Sequence, residues 1–280
     1  MNDELGPVSR RLRILTPLRR RRDDRPVRRF RRGVYLLPSL FTMANMFCGY
    51  ACIVYAMRGE YATAAPFIGF AIVLDILDGR VARMTGSTSE FGVQFDSLAD
   101  VISFGVAPAI LAFSWGLRPL GRIGWAAGFL FVAAAAVRLA RFNIQAATQD
   151  KRYFAGLPSP AAAAVPAATV FAYPAGFGST VHAVPALAMV LVPALLMVST
   201  IRFRSFKTLD LQSRRSYAVV LLLALGIALV AAQPEVMLIV LAYTYLVSGI
   251  IGLAWTRLRR RPEHEQPEDN PLPANDTKAG

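Results

Sequence analysis

The sequence contains very few of the residues on which disulfide-stabilised domains and histidine metal sites depend. Its 280 residues include two cysteines and two histidines. Cys48 and Cys52 lie four residues apart in one apolar run, where packing is the expected role and no disulfide framework is implied. His182 and His264 are too few and too far apart for a histidine metal site. Both classes of structure are therefore excluded.

Acidic residues are also scarce relative to basic ones, and the imbalance is greatest at the N-terminus. The net charge is +13, and residues 1–32 hold twelve arginines and four acids. No folded or aromatic-interleaved nucleic-acid module accompanies these arginines, so we predict a tail that contacts anionic membrane lipid and no nucleic acid. The apolar run at 34–57 is long enough to span a membrane, which predicts a retained first helix rather than a cleaved secretory signal.

Apolar sequence is abundant, at 55% of the residues with a mean hydropathy of +0.42. This composition predicts an all-α fold, a polytopic transmembrane helical bundle of about eight helices. The fifth helix is rich in alanine and is expected to be buried against its neighbours. The predicted spans are 34–57, 61–83, 91–116, 121–145, 158–177, 181–201, 216–232 and 235–257.

The basic residues between these spans predict the orientation of the bundle. If the N-terminus is cytoplasmic, nearly all loop arginines and lysines fall on the cytoplasmic side. We therefore predict an integral protein of the inner (cytoplasmic) membrane with both termini in the cytoplasm. The chain divides into a basic cytoplasmic tail at 1–32, a transmembrane domain with the candidate site at 33–258, and a disordered cytoplasmic tail at 259–280.

Four carboxylates are predicted to gather where the second and third spans meet the cytoplasmic surface. Asp75 and Asp78 share a helix face, as do Asp96 and Asp100, and the short connection at 84–90 makes the two helices antiparallel neighbours. Charge at a bilayer is costly and is functional by default. Oxygen ligands suit Mg²⁺, Mn²⁺ or Ca²⁺, and four acids can hold two such ions, an arrangement that favours phosphoryl chemistry. The residues thus predict a metal-dependent enzyme that acts on a diphosphate.

Small and basic residues accompany these aspartates. Gly79 and Ala82 leave a groove for a flat base or a diphosphate, and Arg83 can bind phosphate oxygens through two parallel hydrogen bonds. The complete set resembles, in residue type and spacing, the signature of the CDP-alcohol phosphatidyltransferase family. Its positions are Asp75, Asp78, Gly79, Ala82, Arg83, Gly92, Asp96 and Asp100.

The resemblance implies a reaction and a role for each residue of the motif. An acceptor hydroxyl would attack the β-phosphorus of CDP-diacylglycerol, CMP would leave, and Asp100 would take the acceptor proton. The cofactors would be two Mg²⁺ or Mn²⁺ ions, and a homodimer is implied. The metal ligands would be Asp75, Asp78, Asp96 and Asp100. The residues around the cytidine diphosphate would be Gly79, Ala82, Arg83 and Gly92.

Four more segments resemble the integral-membrane phosphatidylserine synthases within that family, which implies L-serine as the acceptor. A serine pocket needs a cation for the carboxylate, which Arg138 or Arg141 can supply, and Asn143 can orient either charged group. The arginines can equally serve the positive-inside pattern or bind lipid phosphate. Ser39 stands where an asparagine is expected. The four segments are 37–49, 101–109, 138–143 and 154–160.

Two other functions stay open from the sequence. A phosphatidylglycerophosphate synthase would need a dense basic pocket for a phosphate-bearing acceptor, and arginines and lysines between the fourth and fifth and between the sixth and seventh helices offer one. A cation transporter would place its carboxylates near the bilayer midplane on broken helices. The acids of this chain lie at helix ends, which favours the enzyme.

Overall fold

Every regular element is helical in the part of the chain that the computed structural model describes. The described residues are 36–86, 89–147, 156–176, 180–199, 224–226 and 228–259. The α-helices are α1 (Leu36–Met57), α2 (Tyr61–Thr85), α3 (Glu90–Asp100), α4 (Ala107–Ala112), α5 (Arg122–Ala147), α6 (Ser159–Ala172), α7 (Thr180–Val198) and α8 (Pro234–Arg259). The predicted tail at 1–32 and residues 260–280 lie outside the described residues, so the domain boundaries stay predictions.

Five helical stretches of the described chain are long and apolar enough to cross a membrane, which confirms the predicted helical membrane bundle. They are Pro38–Met57, Tyr61–Thr85, Glu90–Leu120, Arg122–Gln145 and Pro234–Ile251. The fifth predicted span, 158–177, is shorter than expected because α6 ends at Ala172. Tyr173 precedes a proline, which disfavours helical backbone, and Gly176 has a positive φ of 71°. Of the predicted span at 216–232, residues 224–226 and 228–232 are helical, and the others lie outside the described residues.

The third predicted span is a continuous run of helical turns with changes of pitch. A π-helical segment, Val101–Val106, begins directly after Asp100, and a second, Phe113–Leu117, follows α4. Wide π-turns inside a helix change the direction in which the following side chains point and are frequent at functional sites. In the first segment Ser103 Oγ donates a hydrogen bond to the backbone carbonyl of Asn45 in α1, at 2.9 Å.

A glycine allows α1 to approach this π-helical segment. A Cβ added at Gly49 would lie 2.6 Å from Ser103 Oγ and 2.8 Å from Ser103 Cα, so any side chain there would force the two helices apart. Helix α1 also packs against both α2 and α3. It therefore lies alongside both pairs of aspartates.

The alanine-rich helix α6 is buried, as its composition predicts. Eight of its 14 residues are buried, and it packs against α2, α7 and α8. Small side chains let helix backbones approach closely, which is the main source of contact between helices in a bilayer.

Candidate active site

The predicted aspartates converge between the C-terminal half of α2 and the antiparallel helix α3. Asp75, Asp78 and Asp96 each present a carboxylate oxygen, and these three oxygens lie within 4.8 Å of one another. Asp78 is only 4% exposed, and Asp75 and Asp96 are half-buried. Asp100 is buried as well but does not belong to this group of three. We call Asp75, Asp78 and Asp96 the acidic cluster.

The local sequence explains why the chain reverses beside the acidic cluster. Gly86 follows the end of α2 with a φ of +60°, and its backbone N–H bonds to the carbonyl of Ala82. Ser89 begins α3, and its Oγ accepts a hydrogen bond from the backbone N–H of Gly92 at 3.0 Å. A left-handed glycine and a serine N-cap thus end one helix and start the next within a few residues, which brings Asp96 back to Asp78.

Two side chains of α1 donate hydrogen bonds to the aspartates, and neither was predicted from the sequence. Thr42 Oγ1 donates to Asp78 Oδ2 at 3.2 Å, and Asn45 Nδ2 donates to Asp100 Oδ1 at 3.3 Å. Both side chains are buried, Asn45 completely. A signal was available, because a threonine and an asparagine three residues apart in an apolar span share one helix face and need polar partners there.

The acidic cluster fits a divalent metal ion. Asp96 Oδ1 is buried and has no hydrogen-bond partner in the described part of the chain. A buried carboxylate oxygen in that state is costly unless it meets a cation or a donor. Three convergent carboxylates supply the hard oxygen ligands that Mg²⁺ and Mn²⁺ prefer.

A cavity of about 320 Å³ opens beside the acidic cluster. All four residues predicted to surround the nucleotide border it, and so do Asp78 and Asp96. Arg83 Nε donates to the carbonyl of Gly79 at 2.7 Å, which holds the guanidinium along α2. The bordering residues are Pro38, Ser39, Thr42, Asp78, Gly79, Ala82, Arg83, Ser89, Gly92, Val93, Asp96 and Phe142. The walls contributed by α1 and by Phe142 were not predicted.

The three predicted acceptor-binding residues on α5 do not border this cavity. Arg138 is half-buried, and its NH1 donates to Ser159 Oγ at 2.9 Å. It lies about one turn after Ala135, which packs against Gly105 of the π-helical segment that follows Asp100. Its Nε is buried and has no hydrogen-bond partner in the described part of the chain. Arg138 therefore lies on the part of α5 that packs near the segment following Asp100, and its Nε is available as a donor.

The other two candidates on α5 bond to protein groups. Arg141 is exposed, and its NH1 donates to the carbonyl of Val198 at the end of α7, at 3.0 Å. Asn143 Nδ2 donates to Ser97 Oγ at 2.9 Å, and the same hydroxyl lies 3.3 Å from Asn143 Oδ1. Arg141 thus joins α5 to α7, and Asn143 joins α5 to α3.

A larger cavity of about 560 Å³ lies between α2, α6 and α8. Its walls are aliphatic and aromatic, and Tyr245 carries the one polar side-chain group among the residues that border it. No carboxylate borders the larger cavity, whereas two aspartates border the smaller one, so the smaller one is the candidate active site.

Comparisons with known proteins agree with this assignment. A family model described as CDP-alcohol phosphatidyltransferase matches residues 35–201. A CDP-diacylglycerol–serine O-phosphatidyltransferase of Helicobacter pylori is 40% identical over 221 residues, which cover 78% of this chain and 91% of the relative. A protein of the same name from Mycobacterium leprae is 32% identical over 230 residues, covering 80% and 76%. An archaetidylserine synthase of Methanothermobacter thermautotrophicus is 40% identical over 169 residues, covering 60% and 69%. The aspartates and the residues of the smaller cavity all lie within the matched range, and the chain belongs to the CDP-alcohol phosphatidyltransferase family.

Proposed function

We propose that this protein transfers the phosphatidyl group of CDP-diacylglycerol to the hydroxyl of L-serine, giving phosphatidylserine and CMP. The observation that carries the proposal is the composition of the smaller cavity. Its border includes two of the three residues of the acidic cluster, Asp78 and Asp96, together with all four residues expected around the nucleotide. The names of the relatives from Helicobacter pylori and Mycobacterium leprae state this reaction for those proteins.

The acidic cluster would hold Mg²⁺ or Mn²⁺, with Asp100 alongside as a further ligand. Four carboxylates have enough negative charge for two such ions, and we propose two. A bound divalent ion would neutralise the charge of the diphosphate and of the departing CMP.

The chain's own residues would bind the donor and move the proton. Gly79 and Ala82 leave room for the cytidine diphosphate, Arg83 binds its phosphate oxygens, and Gly92 keeps α3 close to it. Asp100 takes the proton of the acceptor hydroxyl while the hydroxyl oxygen forms a bond to the β-phosphorus. The bond from that phosphorus to the bridging oxygen breaks, and CMP leaves with the bridging oxygen.

Arg138 is the proposed partner of the serine carboxylate. Support comes from its available Nε and from the packing of α5 against the π-helical segment that follows Asp100. That Arg141 and Asn143 bind the acceptor stays a prediction, since each has a protein partner.

The proposed membrane arrangement follows from the charge pattern of the loops. We propose that the active site and both termini face the cytoplasm at the inner membrane. The arginine-rich segment at 1–32 would contact anionic lipid, and the family resemblance favours a homodimer.

The direct test is an acceptor panel. Purified full-length protein is incubated with CDP-diacylglycerol, Mn²⁺ or Mg²⁺, and L-serine, glycerol 3-phosphate or inositol phosphate, and CMP release is measured. Product is expected from serine. Product from glycerol 3-phosphate and none from serine would instead make the protein a phosphatidylglycerophosphate synthase.

A variant tests the role of Asp100. Asp100→Asn should bind CDP-diacylglycerol like the wild type and lose turnover, because the amide cannot accept the proton. Wild-type turnover of this variant would contradict the assignment of Asp100 as the base.

A further inference from the structure

Three buried polar atoms lack a hydrogen-bond partner in the described part of the chain, and all belong to residues that interact with the aspartates or are one of them. They are Asn45 Oδ1, Asp96 Oδ1 and Arg138 Nε. Buried polar atoms in native proteins are nearly all paired, so each exception requires an explanation. A metal ion accounts for Asp96 Oδ1. One acceptor, on α1, and one donor, on α5, then need partners.

The acceptor on α1 is held rigidly. Asn45 is fully buried, and its Nδ2 donates to Asp100 Oδ1 at 3.3 Å. An ionised carboxylate can only accept, so the amide NH₂ faces Asp100 and the carbonyl oxygen points elsewhere. The backbone carbonyl of Asn45 accepts a hydrogen bond from Ser103, which Gly49 allows to approach. Asn45 Oδ1 is therefore a preorganised acceptor next to the proposed base.

The donor on α5 is also anchored and lies near the same aspartate. The bond from Arg138 NH1 to Ser159 Oγ ties the guanidinium to the first turn of α6. Helix α5 packs against the π-helical segment that begins directly after Asp100, and Ala135, about one turn before Arg138, lies against Gly105 of that segment. An anchored acceptor and an anchored donor are thus both placed around Asp100, where the acceptor hydroxyl must lie.

We propose that Asn45 Oδ1 and Arg138 Nε form the two poles of the acceptor subsite. Asn45 accepts a hydrogen bond from the ammonium group of a zwitterionic amino acid, and Arg138 donates to its carboxylate, which leaves the side-chain hydroxyl at Asp100. This inference rests on the proposed function and makes Asn45 a specificity-determining residue for it.

Asn143 provides a structural contrast to Asn45. Its Nδ2 and Oδ1 both meet the hydroxyl of Ser97, so the amide is occupied within the protein. The asparagine on α1 therefore has an available acceptor oxygen, whereas the acceptor oxygen of the asparagine on α5 is already hydrogen-bonded. Only the first has the unpaired oxygen that an ammonium group would satisfy.

The experiment removes one charged group of the acceptor at a time. Full-length protein is assayed for CMP release with L-serine, with ethanolamine, which lacks the carboxylate, and with 3-hydroxypropionate, which lacks the ammonium group. Wild-type kcat/KM should fall about tenfold or more for each analogue, since a site built to bond a polar group rejects a ligand without it. An analogue that turns over too slowly is measured as a competitive inhibitor against serine.

The variants should change these preferences separately. Asn45→Leu should lose the preference for serine over 3-hydroxypropionate and retain the preference over ethanolamine. Arg138→Gln should lose the preference for serine over ethanolamine and retain the preference over 3-hydroxypropionate. Cys52→Ala, at a fully buried position of α1, controls for altered helix packing and should keep both preferences. Asn45→Ser keeps a hydroxyl acceptor and should show an intermediate ratio, which provides a second readout if the leucine variant does not fold.

Two results would overturn the proposal. If the Asn45 variants lower kcat/KM for all three acceptors by one factor, Asn45 acts only on Asp100. If they raise the Mn²⁺ concentration needed for activity and leave both preferences unchanged, Asn45 Oδ1 is a metal ligand. A wild-type protein that makes no product from serine would instead refute the proposed function, and the two failures are therefore distinguishable.

Discussion

Helices α1 and α5 both carry polar side chains near the candidate site, but these side chains have different partners. Helix α1 contributes two neutral side chains, Thr42 and Asn45, and each donates to an aspartate. Helix α5 contributes charged and amide groups, yet Arg141 bonds to α7 and Asn143 bonds to α3. The hydrogen-bond partners of a side chain, rather than its charge, therefore indicate its role at this site.

The physical difference between the two helices lies in their surroundings. Thr42 and Asn45 are buried in an apolar span, where an unpaired polar group is costly and the aspartates offer partners. Arg141 is exposed near the end of α5, where water and backbone carbonyls compete for its donors. The neutral donors Thr42 and Asn45 therefore have a more specific role at the site than the charged but exposed Arg141.

The largest expected effect comes from a change in the acidic cluster itself. Asp96→Asn should lower the rate of CMP release about a thousandfold, because one charged ligand of the proposed metal is lost. Glu90→Gln is the matched control on α3, since Glu90 is exposed in the first helical turn and should change the rate less than about twofold. Chelation should abolish wild-type activity, and Mn²⁺ or Mg²⁺ should restore it. Activity that survives thorough metal removal would show that the acidic cluster does not act through a metal ion.

The two arginines of α5 should differ next. Arg138→Gln should raise the KM for L-serine about a hundredfold, since a buried charged donor is lost next to the proposed substrate. Arg141→Gln should raise the KM for L-serine by about tenfold at most. It should instead lower the melting temperature, because the bond to Val198 is lost. Equal KM effects would show that exposure and an existing partner do not separate these residues.

Thr42 tests whether a neutral donor on α1 tunes the acidic cluster. Thr42→Val keeps the shape and removes the donor to Asp78, so the Mn²⁺ concentration for half-maximal activity should rise about tenfold. Thr85→Val makes the matched change at an exposed residue that bonds carbonyls of its own helix, and it should leave the metal requirement unchanged. An unchanged requirement in Thr42→Val would leave α1 with a packing role only at this position.

The smallest effect concerns the fit of α1. Gly49→Ala should lower the free energy of unfolding by about 1 kcal/mol, because its Cβ would meet the backbone of Ser103. Gly69→Ala, on α2, has no atom within 4 Å of its added Cβ and should be neutral or slightly stabilising. Thermal unfolding of both variants measures the difference. Equal stability would show that α1 can move away from the π-helical segment without cost.

The helical membrane bundle and the placement of the aspartates on their helices were predictable from the amino-acid sequence. The length of an apolar run and the spacing of residues on one helix are local properties, so they can be read without knowing how helices pack. The convergence of Asp78 and Asp96 also followed from the short connection between α2 and α3.

Which other side chains join the site depends on how the helices pack against one another. The bonds from Thr42 and Asn45 depend on α1 lying alongside α2 and α3, and on a π-helical segment that turns Ser103 toward α1. The distinction between Arg138 and Arg141 depends on α6 and α7, which are distant in sequence. These contacts join residues far apart in the chain, and helix periodicity carries no information about which helices meet.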